Sequence, residues 1–199
     1  MADSIKSALE IALAKAEAAS EEITDEDRLR WKYVPEGEKL GARIIKGTVN
    51  IEEELEKYDE AARTFLTQGA ASILYANILL PRGSAEKEKT SKALDAILLI
   101  KNEINRAQQI VEQIRNLFEH YETQGDAQRN TALEQLKDEY TRKLKQAVEQ
   151  QYGSNTAGMI ADVENVPQFK EEKRRLNSQF DNQYLKLLNE YKEELKNTG

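Results

Sequence analysis

Residues 85–124 contain neither glycine nor proline, and their apolar residues recur at alternating steps of four and three. Such steps place one apolar stripe on a single face of an α-helix. The stripe consists of Ala93, Ile97, Ile100, Ile104, Ala107, Val111, Ile114, Phe118 and Tyr121. At about 1.5 Å of rise per residue, a helix of this length would be about 60 Å long. We therefore predict one long spine helix over about residues 85–124.

Apolar residues also recur at helical spacing on both sides of this stretch. Four further helical patterns cover residues 4–22, 50–80, 126–153 and 167–195. The connections between most of them are short, and short connections make neighbouring helices antiparallel. We predict an all-α fold, an elongated antiparallel helical bundle around the spine helix, with an irregular segment at about residues 24–49.

The spine pattern changes in character at Lys101. Residues 93–100 are apolar nearly all round, whereas the apolar face narrows to a stripe beyond Lys101. We predict a single helical domain, residues 1–199, with two subregions. A compact helical region, residues 1–100, and a slender three-helix bundle, residues 101–199, would share the spine helix.

The composition excludes several classes of function. The chain has no cysteine, which excludes disulfides, thiolate metal sites and cysteine nucleophiles. Its net charge of −7 makes nucleic acid or an anionic membrane an unfavourable partner. The first residues lack a basic stretch followed by an apolar run, and no apolar stretch is long enough to span a bilayer. We expect a cytoplasmic protein.

Four short segments together resemble a known family. They are residues 5–13, 36–40, 80–82 and 167–169, which read IKSALEIAL, EGEKL, LPR and PQF. Their order is similar to that in a family of uncharacterised, all-helical bacterial proteins of about 200 residues, with no assigned activity. The resemblance covers most of the chain and implies a helical fold and a cytoplasmic location. It transfers no site residue.

Residues 28–33 interleave cations with aromatic side chains, a composition typical of surfaces that stack bases or hold phosphates. The segment contains Arg28, Arg30, Trp31, Lys32 and Tyr33. Two interpretations remain open. The segment binds an anion or nucleic acid, or it docks on the acidic helices of its own chain. One short basic patch in an acidic chain favours the second interpretation.

No residue pattern typical of catalysis, metal binding or a cofactor is found in the sequence. Residues 41–48 imitate a phosphate-binding loop, but the lysine precedes the last glycine instead of following it, so we predict a linker. His120, the single histidine, is predicted on the outer face of the spine, without a partner at the spacing of a helical di-metal site. We therefore assign no catalytic residue, metal ligand or cofactor.

The apolar stripe is the strongest candidate for function. Its interaction seam would consist of Ile97, Ile100, Ile104, Val111, Ile114 and Phe118. Because β-branched residues at alternate positions suit two-stranded packing, we predict a non-catalytic helical scaffold or protein-interaction module. It would bind itself, as a homodimer, or another helical protein. If the two C-terminal helices cover the stripe, the chain is a monomer.

Two other classes of function stay open. The first is an anion- or nucleic-acid-binding accessory protein that acts through residues 28–33. The second is an enzyme or small-ligand carrier with a pocket between helices. Such a pocket needs convergent polar groups, and the sequence alone reveals none.

Overall fold

The computed structural model describes residues 12–13, 23–153 and 162–198. In these ranges the chain is helical and contains no β-strand, which confirms the all-α prediction. The α-helices are α1 (Asp25–Ile45), α2 (Ile51–Leu55), α3 (Glu60–Ala76), α4 (Ser84–Ile100), α5 (Ile104–His120), α6 (Asp126–Tyr152) and α7 (Pro167–Asn197). The helix predicted over residues 4–22 lies outside the described residues, apart from residues 12–13.

The chain divides into two compact units. The first unit comprises Met1–Ile78 and Glu88–Ile100, and the second comprises Leu79–Lys87 and Lys101–Gly199. The first unit therefore contains α1, α2, α3 and most of α4. The second contains the first turn of α4 together with α5, α6 and α7.

Helix α1 occupies most of the segment predicted to be irregular (about 24–49), so that prediction is wrong. Its start is a capping box. The Thr24 hydroxyl accepts a hydrogen bond of 3.1 Å from the backbone N–H of Asp27, whose carboxylate accepts one of 3.2 Å from the backbone N–H of Thr24. After the helix, Gly47 takes a positive φ of 73°, as is common at helix C-termini. Pro35 and the alternating basic and aromatic residues obscured the helical period.

Helices α1 and α3 pack backbone against backbone in the first unit. A Cβ on Gly69 would overlap the carbonyl oxygen of Val34, and a Cβ on Gly37 would overlap that of Leu66. Because glycine has no side chain, the two helices approach more closely than larger residues allow. The surrounding core is apolar and consists of Leu40, Ile44, Ile51, Phe65, Leu66, Ala70, Leu74, Ile78, Leu94 and Ile97.

The spine helix predicted over residues 85–124 is interrupted at Lys101. The backbone there is extended, with φ −93° and ψ 137°, so that α4 and α5 are separate helices. The Lys101 ammonium donates hydrogen bonds to the backbone carbonyl oxygens of Lys196, at 3.2 Å, and Thr198. It thereby caps the C-terminal end of α7. One heptad pattern thus supplies apolar residues to two units. Residues 85–124 lack glycine and proline, yet they do not form one continuous helix.

Helices α5 and α6 follow one another without a reversal. They are joined by a π turn, Tyr121–Gly125, and Gly125 has a helical φ of −62° and ψ of −42°. Helix α6 therefore continues α5 instead of folding back on it. The three-helix bundle predicted over residues 101–199 requires a reversal of the chain at this point, and the structure has none.

Helix α7 packs along both α5 and α6. Ring contacts join Tyr121 to Tyr184, with centroids 5.0 Å apart, and Tyr140 to Phe169, with centroids 5.5 Å apart. Since the order of these partners is reversed along the chain, α7 is antiparallel to the preceding arm. The described part of the second unit is thus a helical hairpin. The buried apolar side chains within residues 104–197 are those of Ala107, Ile110, Val111, Ile114, Tyr121, Val163, Phe169, Tyr184, Leu188 and Leu195.

Candidate functional site

The six residues of the predicted interaction seam do not form one surface. Ile97 is buried in the first unit, and Val111 and Ile114 are buried in the second. Ile100 and Phe118 are half-buried, and Ile104 is 51% exposed. The interruption at Lys101 separates the first two residues from the others. The predicted stripe therefore consists mainly of internal core.

The basic and aromatic residues 28–33 lie in the first two turns of α1. Arg28 contacts Asp25 at 3.4 Å, and Arg30 contacts Glu26 at 3.3 Å. The three acidic residues of the first turn equal the three cations of the segment in number. The local charge that indicated an anionic partner is therefore balanced within the helix.

The aromatic residues of this segment differ in exposure. The Tyr33 ring packs edge-on against Tyr58, with centroids 5.9 Å apart, and the Lys32 ammonium donates a hydrogen bond of 3.1 Å to the Tyr33 hydroxyl. Trp31 is 63% exposed. One exposed indole beside paired cations is a weaker base-stacking surface than the sequence pattern indicates.

A polar cleft lies in the second unit, beside the π turn. We call it the π-turn cleft. Its volume is about 470 Å³, within the range of small-molecule sites. Its walls come from the segment before α4, the π turn, the start of α6 and the middle of α7, and consist of Pro81, Arg82, Tyr121, Glu122, Asp126, Arg129, Asn177 and Asp181. π turns interrupt α-helices often at functional sites.

Asp181 joins three elements of the cleft. Its Oδ2 accepts a charge-assisted hydrogen bond of 2.6 Å from Arg82 Nη2, and its Oδ1 accepts one of 2.8 Å from the Tyr121 hydroxyl. Burial, and then the hydrogen bond to Asp181, raise the pKa of Tyr121 above its ordinary value. The phenol therefore remains protonated at neutral pH and acts as a donor.

Arg129 holds the least satisfied donors of the cleft. Its guanidinium lies over the Tyr121 ring, with Cζ 4.7 Å from the centroid, and Nη1 makes one long contact of 3.4 Å with Asp126. Nε and Nη2 are buried without a hydrogen-bond partner in the structure. Buried donors are satisfied in the great majority of cases, so this guanidinium is a marked exception.

Tyr184 and His120 support the π turn from one side. The Tyr184 hydroxyl lies 2.8 Å from His120 Nδ1. His120 was predicted on the outer face of the helix, and it is largely exposed, yet one ring nitrogen engages α7. Burial raises the pKa of Tyr184. Within the described residues, no group of three or more His, Asp or Glu side chains is arranged to hold a metal ion.

A second surface of interest is the apolar stripe of α6. It consists of Leu133, Leu136, Tyr140, Leu144 and Val148, which recur at helical spacing. All five are half-buried, and none of the residues described in α6 is fully buried. Helix α7 therefore covers this stripe only in part.

Sequence reasoning missed the π-turn cleft because its residues are far apart in the chain. Arg82 and Asp181 are separated by 99 positions, and no short motif contains both. The one local signal was the pair Asp126 and Arg129, three residues apart and next to Gly125. Such pairs are common on solvent-exposed helices, so the pair alone does not indicate a site.

The fold and the cleft define an all-helical protein of two units, with a polar site in the second. None of the helices in the described residues combines the length and apolar character that a bilayer crossing requires. The chain matches the model of the family of unknown function DUF6657 over residues 52–197, most of its length, and belongs to that family. This confirms the resemblance to a helical family without an assigned activity. No curated protein and no solved structure matches the chain.

Proposed function

We propose that the protein is a non-catalytic helical interaction module, and that it self-associates through the stripe of α6. The observation that carries this proposal is the partial cover of the stripe by α7. Two antiparallel helices leave the sides of their shared seam open to water, whereas a four-helix arrangement closes it. A second hairpin packed on the first would remove this apolar surface from water.

The spacing of the stripe suits a second copy in antiparallel orientation. The stripe is close to symmetric about Tyr140: Leu133 and Leu136 precede it by seven and four residues, and Leu144 and Val148 follow it by four and eight. A two-fold axis near Tyr140 would bring Leu136 of each copy against Leu144 of the other. Such isologous pairing requires a self-complementary patch.

Charged residues beside the stripe of α6 also fit a two-fold axis near Tyr140. Two acidic residues, Asp138 and Glu139, come directly before Tyr140, and two basic residues, Arg142 and Lys143, come shortly after it. All four side chains are exposed. Antiparallel pairing about this axis would place Asp138 of one copy near Arg142 of the other, whereas Glu139 and Lys143 form an ion pair within their own helix. Opposite charges across an interface fix register and exclude wrong pairings.

The test is the absolute mass in solution, measured by light scattering after size exclusion at two concentrations. We expect a dimer that dissociates when Leu144 and Val148 are both changed to lysine. Tyr140 contacts Phe169, the third residue of α7, so these two positions lie beyond the start of α7. Their substitution disturbs the hairpin itself least.

Ile104→Lys is the matched control, because Ile104 is an exposed apolar residue of α5 and lies outside the stripe of α6. It should leave the dimer intact. Helical circular dichroism must be retained in every variant. A monomer at both concentrations, or a dimer unaffected by the double lysine variant, would contradict the proposal.

The alternative function, anion or nucleic-acid binding through residues 28–33, has less support because two of its three cations, Arg28 and Arg30, form ion pairs with acidic residues at the start of the same helix. It requires binding that weakens steeply with salt and disappears when Arg28, Arg30 and Lys32 are replaced by glutamine. A fluorescence titration of Trp31 with single-stranded nucleic acid at two salt concentrations measures both requirements.

A further inference from the structure

We propose that the π-turn cleft binds a small oxyanion, a carboxylate or a phosphate group, through the guanidinium of Arg129. The proposal is independent of self-association, because all residues of the cleft belong to one unit of one chain. It rests on an account of which charged groups in the cleft already have partners.

Every carboxylate of the cleft has its own partner. Asp181 accepts hydrogen bonds from Arg82 and Tyr121, and Glu122 forms an ion pair with Lys87. The second oxygen of Asp126 accepts a hydrogen bond of 3.0 Å from the Asn130 amide. The acidic side of the cleft therefore has little remaining capacity to hold a cation.

The donors are in surplus. Arg129 carries three N–H bonds on Nε and Nη2, and neither nitrogen has a partner in the structure. These two atoms form the edge of a guanidinium that binds a carboxylate or phosphate with two parallel hydrogen bonds. An incoming oxyanion would supply the missing acceptors, and for a cation this edge would be repulsive.

The surroundings hold the guanidinium in place for such a ligand. The Tyr121 ring supports one face of Arg129, and Tyr121 is itself fixed by Asp181. The contact between Arg129 Nη1 and Asp126 is long, at 3.4 Å, and is therefore the most easily broken ion pair of the cleft. The ligand enters at this point and displaces Asp126, and the guanidinium then turns its Nε edge toward the oxyanion.

The second guanidinium of the cleft takes part in recognition. Arg82 is held by Asp181 through one of its nitrogens, and its side chain remains 59% exposed. Its exposed guanidinium also lies within the cleft, where it would meet a ligand that extends from Arg129. A ligand with two acidic groups therefore fits better than one with a single group.

The experiment is a calorimetric titration of the full-length protein with inorganic phosphate and, separately, with succinate, in a buffer that contains neither. We expect saturable binding of at least one ligand, and the tighter one distinguishes a phosphate site from a carboxylate site. The Arg129 Nε–H resonance in a ¹⁵N spectrum should shift with the same dissociation constant.

Two variants test the role of Arg129. Arg129→Lys keeps the charge but removes the two-pronged edge, and it should weaken binding at least about tenfold. Asp126→Asn removes the competing carboxylate and should tighten binding several-fold. Arg174→Lys is the matched control, since Arg174 is exposed on α7, and it should bind as the wild type does.

Three results would overturn the proposal. The first is no saturable binding of either ligand up to about 10 mM. The second is unchanged affinity in Arg129→Lys. The third is weaker or equal binding in Asp126→Asn, because it contradicts the displacement of Asp126. This variant gives the decisive result if Arg129→Lys fails to fold.

Discussion

Gly125 and Tyr184 lie so close together that a Cβ on residue 125 would overlap the Tyr184 hydroxyl oxygen, and Tyr184 Cζ is 3.0 Å from the position of that Cβ. The π turn therefore depends on a missing side chain as well as on its hydrogen bonds. Gly125 lets α7 approach the turn closely enough for Tyr184 to contact both His120 and the Tyr121 ring.

Gly125→Ala should destabilise the second unit by about 1–3 kcal/mol, the usual cost of overpacking a core. In an exposed helix the same substitution would stabilise by about 0.5–1 kcal/mol. The combination with Tyr184→Phe removes the overlapping hydroxyl, so the double variant should be more stable than the sum of the single effects. Urea unfolding of the four proteins measures this coupling, and purely additive effects would contradict the close approach.

Gly69→Ala should destabilise the first unit by about 1–3 kcal/mol or more. The new Cβ would overlap the Val34 carbonyl oxygen, which belongs to a helix backbone and cannot move alone. Gln68→Ala is the control on the same helix, because Gln68 is exposed, and its effect should stay within about 0.5 kcal/mol. Equal thermal unfolding of the two variants would show that α1 and α3 are not in backbone contact.

Tyr121 should make stability depend on pH above its ordinary pKa of 10.0. Its folded-state pKa is raised, so the folded protein holds the phenolic proton more tightly than the unfolded chain does. The resulting stabilisation is complete below pH 10 and is lost as the pH rises through the folded-state pKa. Tyr121→Phe should remove this part of the decline, which urea unfolding at several alkaline pH values would measure. An identical pH slope in both proteins would contradict it.

Lys101→Met should destabilise the second unit by about 0.5–1.5 kcal/mol, because the last carbonyl groups of α7 lose a charged donor. The effect is limited because burial lowers the pKa of Lys101, so its charge is partly desolvated. Lys92→Met is the control, since Lys92 forms an ion pair within one helix with Glu88, and such pairs contribute about 0.3–0.5 kcal/mol. Amide hydrogen exchange should show faster exchange at the end of α7 in Lys101→Met alone.

The helical class of the fold could be predicted because apolar periodicity is local information. Asn50 caps α2 and Pro167 begins α7, and both residue types mark helix starts in the sequence itself. The break at Lys101 could not be predicted. It coincides with a contact between Lys101 and the end of α7, almost a hundred residues away, and no local propensity records such a contact.

The glycines inside the helices have roles that the sequence pattern does not reveal. Gly125 directly follows the predicted spine helix (about residues 85–124), yet it lies inside a continuous helical arm, where its role is to admit Tyr184. Gly37 and Gly69 also lie inside helices, because they meet another backbone. The sequence pattern does not distinguish these uses, since a helix end, a side-chain contact and a backbone contact all require the same residue.

The division of α4 between the two units has a practical consequence. Residues 79–87 belong with the C-terminal hairpin, while Glu88–Ile100 returns to the first unit. No single cut in the chain leaves both units whole. A truncation before Leu79 removes a part of the N-terminal core, and one after Ile100 removes Arg82 from the cleft. After either cut, the unit that has been divided should therefore recover its native structure only when both fragments are present and can reassemble.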